Sequence, residues 1–171
     1  MGASFFSVLE YEMNGLYMAF GSLSLSRNYE LFAAIACGDD GITENMPYPP
    51  RGLPRDLSLD SLELFFCEPD FVKEHFEMSS SADEEETALE EYVEGHGDWA
   101  IREYQAIGHL PTPETYNHSW LNLTELKEAL AYRNLSVEIL SADYRALMAA
   151  MEVLAKEYSP EMVRLVFCFG M

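Results

Sequence analysis

Residues 4–25 read SFFSVLEYEMNGLYMAFGSLSL. Two runs rich in Phe, Tyr, Val, Leu and Ser, 4–12 and 16–25, flank Met13-Asn14-Gly15. An Asn-Gly pair between β-prone runs signals a hairpin, because both residues tolerate the positive φ of a tight two-residue turn. The stretch predicts two antiparallel strands. Val163 to Phe169 is a second apolar, β-prone run and is expected to pair with that hairpin.

The chain between these runs reads mainly as helices. Ser26 or Asn28 caps a helix through about Cys37, with Tyr29, Phe32, Ala33 and Ala36 at helical spacing and Gly38 as the stop. Residues 38–57 form an irregular loop, kept extended by Pro47, Pro49, Pro50 and Pro54 and allowed to turn by Gly38, Gly41 and Gly52. A loop this long is often functional. Residues 58–66 predict a short helix capped by Ser58. Ser81-Ala82-Asp83-Glu84 has the form of a capping box and opens an acidic helix to about Glu94, ended by Gly95 and Gly97.

Residues 98–107 read as a helix, with a strand as the alternative. After Pro111 and Pro113, Tyr116 to Leu123 reads as extended, Thr124 caps a helix to about Tyr132, and Asn134 to Leu140 is extended again. Ser141 caps the longest helix, to about Tyr158, with Leu147, Met148, Met151 and Leu154 as its core stripe. The expected fold class is α+β: a small antiparallel sheet, made of the N-terminal hairpin plus the C-terminal strand, packed with several helices in one domain over 1–171.

Composition narrows the function. With 171 residues, 49% hydrophobic and 13% aromatic, the chain can bury a sizeable core. A formal charge of −20 argues against direct nucleic-acid binding and against docking on an anionic membrane. Cys37, Cys67 and Cys168 are widely spaced and read as buried thiols in a reducing compartment. There is no secretory signal and no apolar run long enough to span a bilayer, so a cytoplasmic location is expected.

Three segments stand out against the acidic background. Arg27-Asn28-Tyr29 sits at an expected helix N-terminus, where backbone N–H groups and the helix dipole favour an anion. Tyr48-Pro49-Pro50-Arg51-Gly52-Leu53-Pro54-Arg55 offers two arginines on a stiff backbone. Asn117-His118-Ser119-Trp120 places an imidazole and an indole on one face of an extended segment. The bland alternatives are local ion pairs among thirty acidic residues and a half-buried Trp beside a satisfied His.

Classical catalytic signatures are missing. His75, His96, His109 and His118 show no zinc-type spacing, and no cofactor or nucleotide-loop motif appears. His96, between two glycines, reads as a loop residue. The run from Asp83 to Glu94 reads as a solvated helix face, or as a decoy for a basic partner.

The same segments resemble a group of small proteins encoded by tailed phages and prophages. The matching residues are Arg27, Asn28, Tyr29, Leu31 and Phe32; Arg51, Gly52, Leu53, Pro54 and Asp56; and His118, Ser119, Trp120, Leu121 and Leu123. Phage accessory proteins of this size often counter host defence, some as sponges that hold a nucleotide messenger without cleaving it. The resemblance implies that context, in the cytoplasm of a bacterial host.

The expectation is therefore a non-catalytic binder of a small nucleotide-like ligand. Arg27, Arg51 and Arg55 would hold phosphates, Tyr29 and Trp120 would stack the base, and Asn28 and His118 would read its edge, with Tyr48 and Asn117 beside them. No metal or cofactor is called for. The alternatives are an acidic inhibitor of a basic host protein and a phosphodiesterase using His118. Short sheets often pair across copies, so a homo-oligomer is a further partner class.

Overall fold

A computed structural model of the chain describes residues 4–36, 46–78 and 81–170. Its centre is a four-stranded antiparallel sheet in the order β2-β1-β6-β5, formed by β1 (Ser4–Met13), β2 (Leu16–Ser24), β5 (Thr115–Asn122) and β6 (Val163–Gly170). Asn14 and Gly15 take φ of 56° and 82° and close the hairpin with Met13 opposite Leu16. β6 runs antiparallel to β1, Phe5 opposite Phe169 and Leu9 opposite Leu165. The expected α+β class and its hairpin-plus-C-terminal-strand sheet are present. The expected extended segment at 116–123 proves to be a fourth strand, on the far side of β6.

All eight residues of β6 are buried, which requires cover on both sheet faces. Alternation along the strand divides them. Val163, Leu165, Phe167 and Phe169 join Phe5 and Leu9 in the larger core, under α1 (Tyr29–Ile35), α6 (Leu123–Tyr132) and α7 (Ala142–Tyr158). The rings of Phe5, Phe32, Phe167 and Phe169 meet at centroid distances of 5.0–6.2 Å. Each such pair adds about 0.5–1.5 kcal/mol beyond area burial. Val166 and Cys168 face the other way, against Val8, Leu53 and the two phenylalanines that end α2 (Leu59–Phe65) and begin β3 (Phe66–Cys67). A third cluster joins α3 (Pro69–His75), α4 (Ala82–His96) and α5 (Asp98–Ile107) to β4 (Leu110–Pro111), through Val72, Leu89, Val93, Ala100 and Leu110.

Local chemistry moves several boundaries. The helix cap is Asn122 rather than Thr124: Asn122 Oδ1 accepts from the Glu125 N–H, and Glu125 accepts from the Asn122 N–H, a complete capping box. The box expected at Ser81 does not form, and α4 continues through Gly95 to His96. Residues 134–140 are not a strand; Val137–Ile139 is a single 3₁₀ turn. Helix α3 begins at Pro69, whose missing N–H costs nothing in the first turn. The expected end of the first helix at Cys37 and the loop residues 38–45 lie outside the described residues, which reach Ala36 as the C-cap of α1.

Candidate functional site

The loop 46–57 carries no helix or strand, and side chains from three elements pin it in place. The Gly52 N–H donates to the His118 carbonyl at 2.9 Å, and the Arg51 N–H reaches Ser119 Oγ at 3.4 Å. Arg102 of α5 donates to the Leu53 carbonyl at 3.2 Å, and Arg164 of β6 to the Asp56 carbonyl at 2.8 Å. The loop thereby lies along β5 and places Pro50 and Gly52 against the segment 115–118.

A cleft of about 320 Å³ opens there, between the loop, the start of β5 and the α4–α5 corner. Its distinctive lining is His96, Trp99, Tyr116, Asn117 and His118. Three backbone devices build it. Gly97, at φ 94°, turns α4 into α5 and sets His96 and Trp99 on either side of the corner. Asn117, at φ 51°, lies in an irregularity of the β5–β6 register between Tyr116 and Ser119, a bulge that re-aims the residues beside it. Gly52, at φ 77°, lets the loop backbone meet the Trp99 ring.

The rings in the cleft touch one another. His118 lies 4.8 Å from Trp99 and 5.9 Å from His96, centroid to centroid, and His96 lies 6.2 Å from Trp99. His118 is 4% exposed, and burial together with the neighbouring His96 pushes its imidazole pKa down to about 3, so it is neutral at physiological pH. Tyr116 stacks on Phe169 at 5.9 Å.

The other expected site residues go elsewhere. The Arg51 side chain leaves the cleft: its guanidinium bonds Glu125 through two nitrogens, at 2.9 and 2.6 Å, donates to the Trp120 carbonyl and lies 3.6 Å from the Trp120 ring centroid. Trp120 also has Arg164 at 5.7 Å, so the chain's own cations engage its ring. Tyr48 donates to Glu128 beside this group. Arg27 lines a separate cleft of about 400 Å³ with Ser22, Ser24 and Phe6. Asn28 Oδ1 accepts from the Leu31 N–H, occupying an amide that an anion would have used, and Tyr29 is exposed. Arg55 is exposed and forms no ion pair among the described residues.

Of the nine expected site residues, the structure brings Asn117 and His118 into one cleft, with the backbone on either side of Arg51. Sequence reading missed His96 and Trp99. The signal was Gly95-His96-Gly97-Asp98-Trp99, a histidine and a tryptophan astride a helix-breaking glycine. The acidic face of α4 is mostly solvated, and Glu85 ties it to Lys73 of α3 at 3.4 Å. Among the described residues, no cluster of three or more His, Cys, Asp or Glu side chains is placed to hold a metal, and no helix is long and apolar enough to cross a membrane. Compared with known proteins, the chain matches no family model, no curated protein and no solved structure.

Proposed function

We propose that this chain binds a small nucleotide-type ligand without transforming it, holding the base in the His96–Trp99–His118 cleft. The observation that carries this reading is the neutral, buried His118 packed 4.8 Å from Trp99 at a cleft that Asn117 also lines. Flat rings with a few fixed polar atoms suit a heterocycle, whose faces stack and whose edge is read by hydrogen bonds. The volume, about 320 Å³, lies at the small end of ligand sites.

The reading departs from the sequence expectation in the side chains that hold the ligand, with Trp99 and His96 in place of Tyr29, Trp120 and Asn28. Arg51 is held by Trp120 and Glu125, so affinity is assigned to the base and not to an arginine grip on phosphate. Sequestration without turnover, a role that some small phage accessory proteins play, fits a neutral His118. An imidazole held near pKa 3 is not an imidazolium at neutral pH, so it has no acidic proton to give a leaving group and is a weak base, which disfavours it as the acid–base group of a phosphodiesterase.

The test is calorimetric titration with a panel of nucleosides and linear and cyclic nucleotides, followed by chromatography of the recovered ligand. Intact ligand bound by wild type, weakened in Trp99→Ala and retained in Arg51→Ala, is the expected result. A panel without a binder would overturn the reading, and a converted ligand would replace it with an enzyme.

A further inference from the structure

The hydrogen bonds behind the two cleft histidines fix which ring nitrogens carry protons. His96 Nδ1 lies 2.9 Å from the Tyr92 carbonyl oxygen. A carbonyl only accepts, so Nδ1 carries the hydrogen and, in the neutral ring, Nε2 keeps the lone pair. His118 Nε2 lies 3.1 Å from Thr115 Oγ1. The single Thr115 hydroxyl proton is already donated to the Thr112 carbonyl. Thr115 therefore accepts from His118, which places the hydrogen on Nε2 and the lone pair on Nδ1.

The two remaining nitrogens, His96 Nε2 and His118 Nδ1, have no hydrogen-bond partner among the described residues. No buried side-chain nitrogen or oxygen among those residues is left unbonded, so both lone pairs are in reach of solvent. Both residues line the same cleft.

We infer that this cleft selects a flat ligand by its hydrogen-bond donors, and that the ligand class is a heterocycle bearing an exocyclic amine, adenine or guanine in type. The inference rests on the proposed nucleotide-binding role of the cleft and deepens it. Two imidazole acceptors on residues that line the cleft are left for the ligand edge, with Asn117 able to supply either partner by the orientation of its amide. A base edge that offers only acceptors there would leave lone pairs opposed and two desolvated nitrogens unpaired, which is the arrangement that gives strong discrimination. His118 keeps its acceptor character because burial disfavours the imidazolium.

The experiment compares matched pairs that differ by one amine, adenosine against purine riboside and guanosine against inosine, by calorimetry on the full chain. The amine-bearing member of at least one pair is expected to bind about 10- to 100-fold more tightly. His96→Phe, which keeps a ring and removes one acceptor, should reduce that ratio. Nitrogen-15 histidine spectra of the unliganded protein should show His96 protonated on Nδ1 and His118 on Nε2. Equal affinity within both pairs would overturn the donor-selection inference while leaving the binding role standing. Failure of all four nucleosides and their phosphates would overturn both. Reversed tautomers would overturn the inference whatever binds.

Discussion

Gly52 lies so close to the pyrrole edge of Trp99 that a Cβ built on it would stand 2.1 Å from Trp99 Cδ1 and 2.4 Å from Cγ. The loop backbone and the indole thus occupy space that no side chain can share. Gly52 is also at φ 77°, where a residue with a Cβ is strained.

Gly52→Ala is accordingly expected to cost about 3 kcal/mol of stability, combining backbone strain with forced displacement of a packed ring. Urea denaturation would measure it. The cleft should deform with the ring, so ligand affinity should fall in the same variant. An unchanged midpoint would mean that Trp99 can swing away freely, and the cleft would lose its fixed wall.

Arg51 supplies a contrasting case. Its guanidinium is 3.6 Å from the Trp120 ring centroid and doubly bonded to Glu125, with the side chain about one-third exposed. Arg51→Ala should lower stability by about 1–2 kcal/mol, through the ion pair and the cation–ring contact together. Calorimetry should find ligand affinity within about twofold of wild type, a shift well under 1 kcal/mol. A loss of binding as large as that of Trp99→Ala would return the arginine to the site.

These two residues show what sequence could and could not reveal. The hairpin was legible because Asn14-Gly15 encodes its own backbone conformation, and β6 was legible because an apolar run must be buried. Helix α7 announced itself through a long stripe at helical spacing. By contrast, Arg51 finds Glu125 across 74 positions, and nothing local to either says so. Trp99 meets His118 only because Gly97 turns one helix into the next and Asn117 bulges a strand. The three segments with unusual side chains were visible, but not that one of them, around Arg27, lines a cleft of its own.

Buried charge offers another test. Arg164 and Glu10 are 2% and 0% exposed and bond at 2.7 Å, in a chain whose other β6 residues are apolar, glycine aside. Glu10 Oε1 also accepts from the Ser58 N–H at 2.8 Å and the Ser61 hydroxyl at 2.5 Å, while Arg164 reaches on to Asp56 and lies 3.3 Å from the Tyr17 ring centroid. The network ties the hairpin, the loop and the C-terminal strand together. Arg164→Met leaves the Glu10 carboxylate buried without its cation and should cost about 3–5 kcal/mol. Adding Glu10→Gln removes that charge and should restore at least about 1 kcal/mol, and the Glu10→Gln single variant completes the double-mutant cycle that gives the coupling term. Strict additivity would mean that the pair contributes nothing beyond its packing.

Acid should destabilise the fold through His118. Its folded imidazole is held near pKa 3 by burial and by His96, against an ordinary value of 6.5. Between those two values the unfolded ring binds a proton that the folded ring does not. The stability tied to the neutral ring is therefore fully present above pH 6.5 and declines as pH falls, with a slope of up to about 1.4 kcal/mol per pH unit. Carboxylates also titrate at the acid end, so the comparison is with His118→Gln, which retains a hydrogen-bonding side chain and has no such proton to bind. Urea midpoints recorded from pH 7.5 to 4.5 should converge between the two proteins as acid removes the wild-type advantage. Ring signals in histidine NMR spectra should show His118 unprotonated at pH 5. Parallel midpoints, or a His118 that titrates near 6.5, would mean that the imidazole is solvated, and the fixed acceptor in the cleft would be lost with it.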